Sequence, residues 1–352
     1  MRAVVVTPGQ GGSARLADVP QPRPAEGEVS VRVLRVGTCG TDAEIDQGLY
    51  GEAPAGDDYL ILGHENLGRV ERGAARLALG DLVVSTVRRP DSCPNCQAGQ
   101  YDMCLKGKYT ERGIKGRHGF WAEAYVESPD FLVKLPEELE PVGVLLEPTS
   151  VVEKAINQSY AIQRRMLWQP KQAVVLGAGP VGLLATFVLR MRGLQVTAVA
   201  RSKGTLACEL VEACGGRYVS SRDVPIPRLG EELGRIDLIV EATGNGQVAF
   251  DSMQALGTNG VLCLTSVTGG HRPVEVDANA LNLKFVLGNM VVFGSVNANR
   301  TDFEQGVKDL AAVQQKWPGL LGRVITRRLP HAEFRAALDP SEGDIKTVLE
   351  IG

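Results

Sequence analysis

Near the start of the chain, residue types and spacing suit metal chemistry. Cys39 opens the run Cys39-Gly40-Thr41-Asp42, and Gly63-His64-Glu65 follows the apolar run Leu60-Ile61-Leu62. Thiolate and imidazole suit a borderline-soft ion such as zinc, and a carboxylate can complete the set. A catalytic ion needs one open position, which three protein ligands leave: Cys39, His64 and either Glu65 or Glu147. Of the four histidines, only His64 sits in a motif; His118, His271 and His331 read as structural. A second cluster lies at Cys93-Pro94-Asn95-Cys96 and Cys104. A structural zinc site closes with four ligands, so a further donor is needed; Asp91 is the nearest and Asp102 the next choice.

The run Gly177-Ala178-Gly179-Pro180-Val181-Gly182 fits G-x-G-x-x-G. The motif alone is weak. Here it follows the apolar strand Ala173–Leu176 and opens a helix at Gly182–Arg192, the context that dinucleotide binding requires. Gly177 permits the tight turn, Gly179 lets backbone approach a pyrophosphate, and Gly182 allows close helix–strand packing. About 20 residues further on, an NAD site usually carries an acid for the ribose 2′-hydroxyl. This chain has Arg201-Ser202-Lys203 after the strand Gln195–Ala200. A guanidinium can pair a 2′-phosphate bidentately, so the sequence predicts NADP, with NAD as a possible second cofactor.

Stepping outward, these groups need two scaffolds. Residues up to about 150 hold short strands such as Glu28–Val36, Gly68–Arg72 and Asp81–Val87 with frequent turn residues, the pattern of a β-rich unit. Thr149–Tyr160 reads as a helix. Beyond it, strands at Ala173–Leu176, Gln195–Ala200, Ile236–Glu241, Val261–Leu264 and Val291–Gly294 alternate with helical stretches, which implies a parallel sheet. The last fifty residues return to mixed structure and end in a strand at Lys346–Ile351. The fold class expected is α/β plus β, with a β-rich domain over 1–155, completed by 299–352, and a doubly wound parallel-sheet domain over 156–298 inserted between them.

Composition agrees with an ordinary globular protein. The 352 residues suggest about two domains. The net charge of −3 gives no basic patch for nucleic acid. No apolar run is long enough to span a bilayer, and the N-terminal Met1–Val6 reads as a strand, so a cytoplasmic location is expected. Seven cysteines, an odd number in a long chain, point to metal or core thiols instead of disulfides; Cys208, Cys214 and Cys263 read as core.

Together these motifs resemble the zinc-containing medium-chain dehydrogenase/reductases, and more narrowly the glucose (aldose) 1-dehydrogenases. Val87-Arg88-Arg89, Glu111-Arg112-Gly113-Ile114, Glu147-Pro148 with Glu153-Lys154, and Gly294-Ser295-Val296-Asn297 carry the narrower likeness, which covers nearly the whole chain. The resemblance implies a GroES-like catalytic domain, a Rossmann coenzyme domain, a homodimer or homotetramer, and oxidation of an aldose at C1 to the lactone. It implies catalytic zinc on Cys39, His64 and Glu65, with Glu147 near or on the metal. Sugar contacts would fall on Thr41, Glu111, Glu147 and Asn297. The 2′-phosphate would fall on Arg201 and Ser202, and the nicotinamide half on Thr265, Ser266, Val267, Ser295, Val296 and Asn297. Thr41 would hydrogen-bond the reacting oxygen and relay its proton, with Glu44 or a ribose hydroxyl next in line. The family's first structural cysteine falls on Asp91. Three sugar-contacting positions, an Asn, an Asp and a His in relatives, fall on Val87, Val151 and Leu287. These apolar replacements keep a polyol, cyclitol or other secondary-alcohol substrate as the alternative.

Overall fold

The structure, a computed structural model, describes residues 1–267 and 273–352; His271 lies outside the described residues. Contacts divide the chain into two units: Met1–Ser150 with Asn297–Ala311 and Val324–Gly352, and Val151–Val296 with Ala312–Arg323. Read by order along the chain, the whole of 299–352 goes with the first unit. Ala312–Arg323 instead groups with the second, where Arg323 pairs with Glu209 at 2.5 Å.

The first unit is built on a seven-stranded sheet whose centre is Val29–Gly37. This strand alternates buried valines with more exposed residues, the two-residue period of a strand covering a core on one face. It pairs antiparallel with Glu65–Arg72 on one side and with the late strand Lys346–Glu350 on the other. Lys346–Glu350 is in turn parallel to Ile325–Pro330. A sequence-distant strand therefore lies directly beside the N-terminal ones. The core beneath includes Val31, Val33, Ile45, Leu62, Phe120 and Trp121.

A smaller sheet joins Arg88–Arg89, Thr110–Arg112 and Gly116–Arg117. It is held to the main sheet by charge. Glu127, 1% exposed, accepts from Arg89 and Arg112, with Arg112 Nη2 at 2.7 Å, and pairs with Arg117 at 3.3 Å. Burial alone would push this carboxyl up, but Arg112 and Arg89 hold it at about 2.

The second unit is a six-stranded parallel sheet in the order Arg217–Ser220, Gln195–Ala200, Gln172–Leu176, Leu238–Glu241, Val261–Leu264, Val291–Gly294. In chain order this is 3-2-1-4-5-6, the doubly wound dinucleotide-binding topology. Its central strands are almost wholly buried, as expected of a sheet covered on both faces. The helix Ala278–Gly288, not resolved by the sequence pattern, is present, as is Arg300–Lys316, whose residues up to Ala311 group with the first unit. The former spreads its apolar residues round the helix instead of along one stripe, which hides it from a periodicity reading. Among the described residues, no helix is long and apolar enough to cross a membrane.

The Glu127 cluster carries a pH signature. Its folded pKa lies below the ordinary 4.5, so the stability it contributes is complete above about pH 4.5 and is lost as pH falls towards 2. Urea unfolding of Glu127→Gln should lose this component of the acid dependence while retaining the rest.

Candidate active site

Gly63, at φ +91, turns the chain between Leu60–Ile61 and Glu65–Arg72, with Trp121 packed where a side chain would stand. His64 is thereby set at the strand entrance. Cys39 stands just past the end of Val29–Gly37, as the residue preceding the helix Gly40–Asp46. Because Gly37 and Glu65 face each other in the ladder, all three side chains converge. A Cβ on Gly37 would lie 1.9 Å from Glu65 Oε2, so only glycine leaves room for that carboxylate. Cys39 Sγ lies 3.1 Å from His64 Nε2, and the ligand atoms of Cys39, His64 and Glu65 all fall within 4.8 Å of one another.

The cluster fits a cation. Burial disfavours a charged imidazole, yet Cys39 and Asp42 raise the His64 pKa well above its ordinary value, which shows a surplus of negative charge. His64 Nδ1 and Asp42 Oδ1, 3.5 Å apart, are both buried without a hydrogen-bond partner among the described residues. Asp42 also accepts the Cys39 backbone N–H at 3.0 Å. It thus fixes the Cys39 backbone and faces the His64 ring, the position that outer-shell carboxylates take at metal sites. The donor set of sulfur, nitrogen and carboxylate oxygen is the one zinc prefers.

Lys346 is the largest surprise. It is 2% exposed, donates to Glu65 Oε1 at 2.6 Å and to Thr38 O at 2.8 Å, and also pairs with Glu65 Oε2. Glu147, 8% exposed, lies outside the tight cluster. It still feels it: burial chiefly pushes its carboxyl up to about 7, with Glu65 adding and His64 and Lys346 opposing. Thr41 lies within hydrogen-bonding reach of Tyr50, whose hydroxyl donates to Glu44 at 2.9 Å. Burial raises the Tyr50 pKa.

Glu111 and Asn297, distant in sequence, do meet: Asn297 Nδ2 donates to Glu111 Oε1 at 2.9 Å. Arg88 donates to the same oxygen. Val87 is 2% exposed and apolar, while Leu287 is 73% exposed on its helix.

In the cysteine loop, Asp91, Cys93, Cys96 and Cys104 bring their ligand atoms within 4.8 Å. Cys93 N–H donates to Asp91 Oδ1 at 2.7 Å and Cys104 Sγ to Oδ2 at 3.1 Å. Hydrogen bonds from Cys104 and Cys93 hold the Asp91 carboxyl low. Three thiols and a carboxylate form a closed four-donor set, suited to a structural ion. Asp102 is not among them; it accepts from Asn299 instead.

In the second unit, Gly177 takes φ +104, and a Cβ on Gly182 would meet Gly177 O at 2.0 Å. Nothing crowds Gly179, which caps the helix Pro180–Met191. Arg201 and Ser202 are exposed at the end of the second strand. Lys203 pairs with Asp223 at 2.5 Å, a solvent-exposed pair that costs little to exchange for another anion. Glu241 orders the next loop, with Ser266 Oγ at 2.6 Å on its carboxylate and Thr265 Oγ1 at 2.6 Å on its carbonyl. Val267 and Val296 are exposed. Ser295 Oγ is buried without a partner among the described residues, and Val296 O accepts from Lys154 at 2.8 Å. Cys214 and Cys263 are core thiols; Cys208 is half-buried, with its thiol toward Glu212. His118 stacks on Tyr59 and pairs with Asp57 at 3.0 Å, a structural role.

Asp42, Lys346, Arg88, Tyr50 and Glu241 were missed as site residues. Asp42 and Arg88 stood inside quoted motifs. Lys346 left a fainter signal, a lone cation opening the strand Lys346–Glu350 ahead of the apolar Val348 and Leu349.

The class is confirmed by comparison: residues 25–137 match the alcohol dehydrogenase GroES-like domain, and the second unit has the Rossmann order, so the fold is that of a medium-chain dehydrogenase/reductase. Residues 140–351 match the glucose dehydrogenase C-terminus. The chain is 46% identical to the glucose 1-dehydrogenase of Methanocella arvoryzae over the whole of both chains. It is 44% identical to that of Thermoproteus tenax over 100% of this chain and 99% of the other. Among solved structures it is similar to Haloferax mediterranei glucose dehydrogenase in complex with NADP, Zn and gluconolactone, with a TM-score of 0.92, 36% identity, and 100% and 99% of the two chains covered. The chain belongs to the glucose dehydrogenase family.

Lys346→Met would leave Glu65 buried without its counter-charge. In the presence of a chelator, urea unfolding should register a loss of about 3–5 kcal/mol. A loss below about 1 kcal/mol would mean that the pair contributes little.

Proposed function

We propose that this chain oxidises an aldose, glucose or a close relative, at C1 to the lactone and delivers the hydride to NADP. The observation that carries this reading is the convergence of Cys39, His64 and Glu65 in one buried cluster, within a family whose Haloferax member was solved with NADP, Zn and gluconolactone. Cys39, His64 and Glu65, with Glu147 beside them, would hold zinc, which when bound would supply Lewis acidity at the anomeric oxygen. Thr41 takes up the proton of that hydroxyl and passes it toward Tyr50 and Glu44, or to a ribose hydroxyl. Glu111, Asn297 and Glu147 accept or donate hydrogen bonds to sugar hydroxyls and fix the reacting carbon. Backbone from Gly177 through Ala178, Gly179, Pro180 and Val181 to Gly182, at a helix N-terminus, cradles the pyrophosphate. Arg201 and Ser202 bind the 2′-phosphate, and Thr265–Val267 with Ser295–Asn297 face the nicotinamide half. Asp91, Cys93, Cys96 and Cys104 hold a second, structural zinc.

A homodimer or homotetramer is supported by the exposed Leu283, Val286 and Leu287, and by Val291–Gly294 standing at the edge of its sheet. Free thiols suit a reducing compartment, and we place the protein in the cytoplasm.

Initial rates on aldoses and polyols, each with NADP and NAD, test the substrate and cofactor together. Glucose with NADP should give the highest kcat/KM, and polyols should turn over poorly; equal turnover of a polyol would sink the aldose reading. Arg201→Ala should raise KM for NADP by about tenfold or more, the loss of a charged hydrogen bond, and leave KM for NAD near its original value. Cys39→Ala should abolish turnover yet keep NADP binding, measured by fluorescence titration.

A further inference from the structure

Glu111 is held in an unusual way. A guanidinium facing a carboxylate usually forms two parallel bonds, one to each oxygen. Here Arg88 Nε and Nη2 both reach Oε1, at 3.0 and 2.9 Å, and Asn297 Nδ2 adds a third bond to Oε1 at 2.9 Å. Oε2 has no hydrogen bond among the described residues, although the side chain is only 11% exposed. A buried carboxylate with one oxygen saturated and the other bare is prepared to accept from an incoming hydroxyl.

The arrangement is rigid. Arg88 and Glu111 are directly opposite each other in the antiparallel pair of Arg88–Arg89 with Thr110–Arg112. The Arg88 guanidinium lies 3.7 Å above the Tyr109 ring and donates from Nη1 to Asp102 O at 3.1 Å. Asp102 Oδ1 accepts from Asn299 at 3.2 Å. Asn299 lies two residues beyond Asn297, which adopts the left-handed conformation at φ +60 and so can turn its amide back onto Glu111. The chain of contacts closes on itself through Arg88.

We infer that Arg88 is a specificity-determining positioning residue: it clamps one oxygen of Glu111 so that the other is presented to a single hydroxyl of the sugar. Arg88 touches no substrate; it decides which atom of Glu111 does. The inference rests on the sugar-binding reading of Glu111 given above.

The test compares glucose with its monodeoxy analogues in wild type, Glu111→Ala, Arg88→Met and Arg88→Lys. In the wild type one deoxyglucose should fall about tenfold or more below glucose in kcat/KM, the cost of leaving Oε2 without a donor. In Glu111→Ala and Arg88→Met that ratio should collapse to within about twofold, while KM for glucose rises about tenfold or more, kcat changes less, and KM for NADP stays fixed. Arg88→Lys, which keeps the charge but not the fork, should be intermediate. Should Arg88→Met not fold, as judged by circular dichroism, Arg88→Lys decides by the same ratio. An Arg88 variant with the wild-type ratio overturns the positioning role and leaves the Glu111 reading intact. A uniform fall for every sugar with the ratio preserved also overturns it, since that is what a purely structural arginine would give. A wild-type ratio in Glu111→Ala overturns the sugar contact itself, and the inference with it.

Discussion

The buried pair of Lys346 and Glu65 ties the catalytic unit together. A carboxylate at a buried strand position is costly unless something neutralises it. Here the neutralising group arrives from the last strand of the chain, and Gly37 on the strand between them yields the space. The central strand Val29–Gly37 therefore does two jobs. It buries its valines in the core, and it holds the acid, the lysine and the approach to Cys39 in register. Once that register is set, His64 and Cys39 have little freedom, and Asp42 fixes the Cys39 backbone and faces the His64 ring.

The same device recurs in the smaller sheet. Glu127 gathers Arg89, Arg112 and Arg117, and Glu111 gathers Arg88 and Asn297. Buried charges in such arrays bring little net stability, but they tolerate few alternative packings. They fix direction, which apolar contacts do not. The two acids differ in how fully they are engaged. Both oxygens of Glu127 are held, so it is a structural hub, whereas one oxygen of Glu111 has no partner among the described residues.

The coenzyme unit relies on a different physics. Its central parallel strands bury mainly apolar side chains, and the polar groups gather at the ends of strands and in the loops beyond them. Glycine there is a matter of space: Gly182 lies so close to Gly177 O that any side chain would push the helix from the sheet. Glu241 orders the neighbouring loop through Ser266 and Thr265, which gives the exposed backbone a defined shape.

Much of this was determined by the sequence alone. The glycine run after an apolar strand, the strands that follow it, and the separate motifs that hold Cys39 and His64-Glu65 are local patterns, readable because helix, strand and turn preferences act over a few residues; the choice between Glu65 and Glu147 was left open by them. The four donors of the cysteine loop, including Asp91, were equally near in sequence. Tertiary structure alone decided the rest. It set Lys346 on Glu65 and Asn297 on Glu111, kept Glu147 outside the tight cluster, paired Lys203 with Asp223, and moved Ala312–Arg323 into the second unit. Each of these depends on which strands neighbour one another or on which counter-charge lies within reach. Those choices are made by burying charge and surface across the whole fold, so no local run of residues records them.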